Sequence, residues 1–307
     1  MTPRQNGVGV TGAALMALAL TGCTVNVNTE GATASETHTF KVGAAPKVTL
    51  DTFDGSIEVH SWDRPEVEVI VEKQAQDDGL LQQIVVEQSQ EGDAVTLRVR
   101  GPAASSYDGI QIGVIYSPGA KLRVALPKSV TLDIRSGDGS ITVEDVSGTV
   151  TMRSGDGSIV GLRVSGDVRA STDDGSIRLR ETTGKVDVQT LDGSVVVTGT
   201  FTALRAKTGD GSVRVAAETG SAIESDWFID TEDGSVEVRL PDGVSAVVDA
   251  ATSNGSIRSN YPGLTVPDAP DGEGERRDDG RQLKATLGQG GHTLRVRTGD
   301  GTIRFES

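Results

Sequence analysis

The chain is short of cysteine, histidine, aromatic residues and positive charge, and each shortage removes a class of function. Of 307 residues one is a cysteine, Cys23, so no disulfide joins two parts of the chain and no cysteine cluster can hold zinc. The three histidines, His38, His60 and His292, lie far apart and beside no acidic cluster at ligand spacing. Each reads as a strand-surface or tether residue, and none recurs at a fixed offset from the many serines to act as a base. Phe, Trp and Tyr together make up 3% of the chain, which leaves the core to β-branched aliphatic residues. With 29 basic side chains against 44 acidic ones and a net charge of −15, nucleic acid is excluded as a partner, because neutralised phosphates supply most of that affinity.

Long apolar runs are also lacking. The stretch from Ala13 to Leu20 is too short for a membrane span, which needs about 20 residues. Preceded by Arg4 and followed by Cys23, it has the layout of a signal peptide over residues 1–22. The segment "LTGC", Leu20 to Cys23, resembles the lipobox of bacterial lipoproteins. That resemblance implies that Cys23 is lipidated, becomes the mature N-terminus and anchors an exported protein on the cell membrane or outer membrane. Anionic headgroups would repel so acidic a chain, which leaves the membrane contact to the lipid. Residues 23–37 are polar and small, and read as a tether.

What the chain has in abundance is glycine, at 39 positions. The stretch "SGDGSI" occurs at Ser136–Ile141 and again at Ser154–Ile159. It belongs to a series in which Asp or Asn precedes Gly and then Ser or Thr, with glycines at 55, 139, 157, 175, 193, 211, 234, 255 and 301. From Gly139 to Gly211 the interval is 18 residues four times running. After each corner, apolar residues alternate with outward ones, as in Ile141 and Val143, Ile177 and Leu179, or Val213 and Val215. A second strand follows Gly148, Gly166 and Gly184. Strands of equal length at a strict period point to an all-β, β-helix-like solenoid of two-strand coils with an 18-residue repeat. Asp-Gly turns also suit hairpins, so an antiparallel β-meander or sandwich is the alternative. The domain spans residues 38–307, with regular coils over about 131–258, a short helix near Asp77–Gln83 and a mobile excursion over about 262–282. The closing "HTLRVRTGDGTIRFES" is expected to form the last coil and a cap.

Repeated "[DN]G[ST]" corners, an early "FDGSIEVHSWDRPEVEVIVEK" and a lipobox together resemble the bacterial putative-adhesin, or toastrack, family of domains of unknown function. The resemblance covers about Thr37 to Ser307. It implies a β-helix-like extracytoplasmic domain and carries over no catalytic residue.

The corner motif is not a phosphate loop. A phosphate loop must open a helix and here every copy opens a strand, without a following Lys. Stacking would place Asp138, Asp156, Asp174, Asp192 and Asp210 in a column about 5 Å apart. The expected role is a structural turn ladder, in which each carboxylate caps amides of its own turn and Gly supplies positive φ. A weak calcium site is the alternative. Asn254, in the "SNGSI" copy, keeps turn geometry without charge and favours the ladder. Such spacing also fits a retaining glycosidase, but stacked corners produce it automatically. Trp62 and Trp227 each read as filling a gap or end of the core, and either one, if exposed, is a candidate ligand contact, while Arg178, Arg214, Arg258 and Arg304 form an outward basic stripe. The expectation is a non-enzymatic, lipid-anchored envelope protein, adhesin-like in binding or scaffolding, with no cofactor and no dedicated metal site. Its partners are the membrane and an envelope protein or glycan. The alternative is a carbohydrate-active β-helix enzyme, a polysaccharide lyase or hydrolase.

Overall fold

The computed structural model describes residues 24–28, 31–102, 117–266 and 281–307. The signal peptide, Cys23 and most of the excursion, residues 267–280, lie outside them. No helix among the described residues is long and apolar enough to cross a membrane.

The expected solenoid forms. Each coil has a strand before its Asp-Gly corner and a strand after it, and both lie parallel to their counterparts in the next coil. Ile141 stands opposite Ile159, then Ile177, Val195, Val213, Val236, Ile303 and Ile257, coil upon coil. On the other sheet Val150, Val168, Val186 and Leu204 stack in the same way. β-branched residues suit these columns because they pack on a pleated surface with little rotamer freedom to lose. All of these ladder residues are at most 3% exposed. The parallel register rules out the meander as the main architecture. Among the described residues antiparallel pairing is confined to the two ends, for example Glu66–Ala75 with Gly31–Lys41 and Ala246–Thr252 with Arg281–Leu287.

Coil length is set by contact between backbones at the corners. A Cβ added to Gly157 would come under 3.0 Å from the carbonyl of Gly139, and the same holds for Gly175 against Gly157, Gly193 against Gly175 and Gly211 against Gly193. The column continues to Gly234, then Gly301, then Gly255. Positive φ is not the general reason for glycine here. Among the nine corner glycines only Gly55, Gly234 and Gly301 have φ in that region, so the turn chemistry read from the sequence is corrected to close approach.

Threading departs from sequence order at both ends. Ile57–Trp62 pairs with Ile141–Glu144, so the Gly55 coil lies directly against the Gly139 coil. The final strand, Thr293–Glu306, is not the last coil. It lies between Trp227–Asp233 with Val236–Arg239 on one side and Ala246–Ser259 on the other. Inserted there it satisfies hydrogen bonds on both edges. Arg281–Leu287 becomes the outer strand, with exposed Arg281 and Lys284 on it, as charged residues on an edge discourage further pairing.

Two further boundaries change. Residues 31–37, expected as tether, belong to strand Gly31–Lys41, which runs into the core with Ala32 and Phe40 buried. The reason is pairing: polar residues alternate with these few apolar ones along ten rungs of antiparallel ladder. Leu264, at the start of the expected excursion, is buried, as is Tyr261 just before it, whose hydroxyl donates to Pro241 O at 2.8 Å. The short helix forms at Asp78–Gln82, capped by Asp77, whose carboxylate accepts from the Leu80 amide.

Replacing Gly157 with Ala is expected to lower stability by about 3 kcal/mol, because only backbone movement can relieve the overlap. The same change at Gly92, with nothing within 4 Å of its added Cβ, should cost about 1 kcal/mol through its positive φ alone. Urea midpoints of the two variants compare them.

Candidate functional site

The corner column carries most of the residues singled out from the sequence. Behind it runs a ladder that sequence reasoning missed. Three residues before every corner glycine stands a Ser or Thr: Thr52, Ser136, Ser154, Thr172, Thr190, Thr208, Thr231, Thr252 and Thr298. All are buried. Ser154 donates to Gly139 O at 2.9 Å, Thr172 to Gly157 O at 2.9 Å, Thr190 to Gly175 O at 3.0 Å and Thr208 to Gly193 O at 2.8 Å. The hydroxyl also serves its own turn, since the amides of Gly139 and Gly157 donate to Ser136 and Ser154 at 3.1 Å. Turn capping therefore falls to the buried hydroxyl at these corners. The fixed offset from glycine was the available signal.

The corner acids Asp138, Asp156, Asp174, Asp192 and Asp210 are all exposed. Asp156 is held above the usual carboxylate range, first by desolvation among the stacked corners and then by the charges of Asp138, Asp174 and Asp173. Asp54 is raised likewise, by burial and then Asp138, against a backbone hydrogen bond from Gly55. At the far end the repulsion is relieved: Asn254 Nδ2 donates to Asp300 Oδ1 at 2.8 Å. Among the described residues no group of three or more His, Cys, Asp or Glu side chains is placed to hold a metal ion.

The opposite corner answers stacking with alternating charge. Asp145, Arg163 and Glu181 occupy one column, each with φ between 51 and 59°. Arg163 Nε and Nη2 donate to the two carboxylate oxygens of Asp145 at 2.6 and 2.9 Å. That fork holds the Asp145 carboxyl below its usual range.

Trp227 is fully buried, edge-on to Phe201 with ring centroids 6.1 Å apart. It is thus a core residue and not a surface contact. The insertion before it lengthens one coil, and the indole fills that coil's interior. Trp62 is half-buried, its Nε1 donating to Glu66 O at 2.8 Å, with the Arg64 guanidinium 4.7 Å from the ring centroid. His60 and His292 lie on the surface, but His38 is 3% exposed. Its Nε2 lies 3.3 Å from Glu36 Oε2 without hydrogen-bond geometry. It is buried because it shares strand Gly31–Lys41 with Phe40, so the tether reading fails for it. In the basic stripe Arg214 pairs with Glu237 at 3.0 Å, while Arg304 stands opposite both Glu237 and Arg258.

One cluster emerges only in three dimensions. The outward ring of Phe228 lies between the guanidinium carbons of Arg205 and Arg295, at 4.8 and 5.6 Å from its centroid. With them Lys207, Asp230 and Arg297 line a depression of about 230 Å³, floored by Ala206 and Ile229. Arg295 comes from the strand inserted out of sequence order, so no local spacing marks the site.

The family model described as Toastrack DUF4097 matches residues 47–306. No curated protein matches the sequence significantly. Two solved structures show a likeness. One, a "putative cell adhesion protein" from Clostridium sporogenes, is 11% identical, with 89% of this chain and 98% of that one covered and a TM-score of 0.24. The other, a "putative adhesin" from Bacteroides fragilis, is 13% identical, with 88% and 96% covered and a TM-score of 0.39.

Because Asp156 binds its proton more tightly when folded, its contribution to stability is present at low pH and lost as pH rises through the folded pKa. Asp156→Asn should therefore melt higher than the parent at neutral pH, and the gap should close below the ordinary Asp value of about 3.9. If the column holds no calcium, a chelator leaves the parent's melting curve unchanged.

Proposed function

The chain belongs to the Toastrack DUF4097 family, and from that premise we propose a non-enzymatic, lipid-anchored protein of the bacterial cell envelope, adhesin-like in binding or scaffolding through the faces of its solenoid. The observation that carries this reading is the register. Every coil repeats the same inward column, and what varies from coil to coil is the outward side chain, as on a frame that presents residues about 4.8 Å apart. The corner carboxylates support it too. They are exposed along the stack, whereas the general acid of a glycosidase sits in an apolar pocket beside a second carboxylate in polar surroundings. Outward placement rests on "LTGC" and the apolar stretch before it, a layout for export with Cys23 as the lipid carrier.

Fractionation of cells making Cys23→Ser should find the variant released from the membrane fraction that holds the parent. Retention of the variant overturns the lipid anchor. The detergent-solubilised full chain, immobilised and exposed to envelope extract, should retain an envelope component and leave the length distribution of envelope polysaccharide unchanged. No retention overturns the binding role, and shortening of the polysaccharide overturns the non-enzymatic assignment.

A further inference from the structure

We propose that the Arg205–Phe228–Arg295 cluster is a binding site for an acidic glycan, whose carboxylate or sulfate groups are taken by the paired guanidinium edges. The site deepens the binding role proposed above and rests on it.

Stacking makes one outward column of this sheet from Asp133, Thr151, Arg169, Asp187, Arg205, Phe228, Arg295 and Asp249. From Arg169 to Asp249 the column would alternate basic and acidic residues throughout if position 228 were acidic. Phenylalanine stands there instead. Elsewhere on this face the arginines have carboxylate partners: Arg135 and Arg153 share Asp133 at 3.3 and 3.0 Å, Arg169 meets Asp167 at 2.9 Å and Arg297 meets Asp249 at 2.7 Å. Arg205, Lys207 and Arg295 have no ion pair with any described carboxylate. In a chain of net charge −15, three neighbouring cations without one form a cluster, whereas Lys47 and Lys185, also without one among the described residues, stand singly on this face.

Phe228 is what holds the two like charges together. It is half-buried, and the guanidinium groups of the coils on either side lie over its ring, an arrangement that leaves their N–H edges free to donate. The two arginines are two coil steps apart, about 9.6 Å along the stack at the usual strand spacing. Such a pair suits oxyanions recurring along an extended polymer.

The shape selects the kind of polymer. At about 230 Å³ the depression is smaller than the ~300–1,000 Å³ pockets that enclose a drug-sized ligand, so it fits one unit of a chain lying across the face. Peptides that bind sheets do so by adding a strand to a free edge, and here the strands on both sides of Phe228 are already paired. An anionic bilayer is disfavoured by the charge of the whole protein. Asp230, in register between Lys207 and Arg297, lies at the margin and limits the anion to the arginine side.

The test uses the full chain in non-ionic detergent, titrated with polygalacturonate, heparin, poly-glutamate and neutral dextran at low and high salt. Polygalacturonate, heparin or both should bind at low salt, and which of them binds separates carboxylate from sulfate. Arg205→Ala with Arg295→Ala should weaken that binding about tenfold or more, the loss of charge-assisted hydrogen bonds. Phe228→Leu should weaken it with all charges in place. Arg153→Ala with Arg169→Ala, on the same face, should not, and melting temperatures confirm that each variant folds. Absence of glycan binding, unchanged binding by the first double variant, or equal binding of poly-glutamate overturns the site. If that double variant still retains its envelope component, the site falls and the binding role stands.

Discussion

At every corner but that of Gly55, which meets Ala120, a glycine packs against the carbonyl of the glycine one coil away, and a buried hydroxyl from three residues earlier donates to that same carbonyl. No residue with a Cβ can stand at the contact, and a coil one residue longer or shorter between corners would move it out of line. The hydroxyl ladder follows from the same closeness. A corner drawn inward leaves carbonyls with no water, and each would cost about 1–3 kcal/mol unpaired. Ser and Thr are the side chains short enough to reach them from inside the coil. Where one coil is lengthened before Trp227, the extra residues loop out and the indole fills the interior, so the corner contact is kept.

Stacking also sets the electrostatics, since every residue type chosen at one coil position meets its counterpart in the next. Three answers to that constraint coexist. The Asp corners accept repulsion at an exposed position, with Asn254 bonding Asp300 at the end. The opposite corner alternates sign through Asp145, Arg163 and Glu181. On the strand face, Arg and Asp alternate until Phe228 interrupts them. The first two are solutions a stack needs in order to stand. The third leaves cations without an ion pair among the described residues, which stacking does not require, and that is what motivates the glycan site proposed there.

The ends of a stack pose the other difficulty, an unpaired strand edge. Here the chain turns back on itself at both ends and closes them with antiparallel strands. The final strand is tucked inside and not left at the rim. The tether assumed for residues 31–37 is part of that closure, and shortening the chain to Thr37 would cut through a strand paired along its length with Glu66–Ala75.

Coil length, strand alternation and the identity of the inward columns are local properties, and the 18-residue interval with its Ile and Val offsets was enough to read them. The Ser or Thr at the third position before each glycine was equally visible, but its role was not, because its acceptor lies on another coil. His38 was misplaced for a related reason, and the ligand contact considered for Trp227 falls with its burial: a ring beside polar neighbours leaves both readings open until the strand that covers it is known. Coil order, the burial of those two residues and the meeting of Arg205, Phe228 and Arg295 were decided by tertiary structure alone. A repeating sequence specifies how one coil sits on another, but identical corners do not say which coil comes next, and that choice is made by pairing energy summed over whole strands.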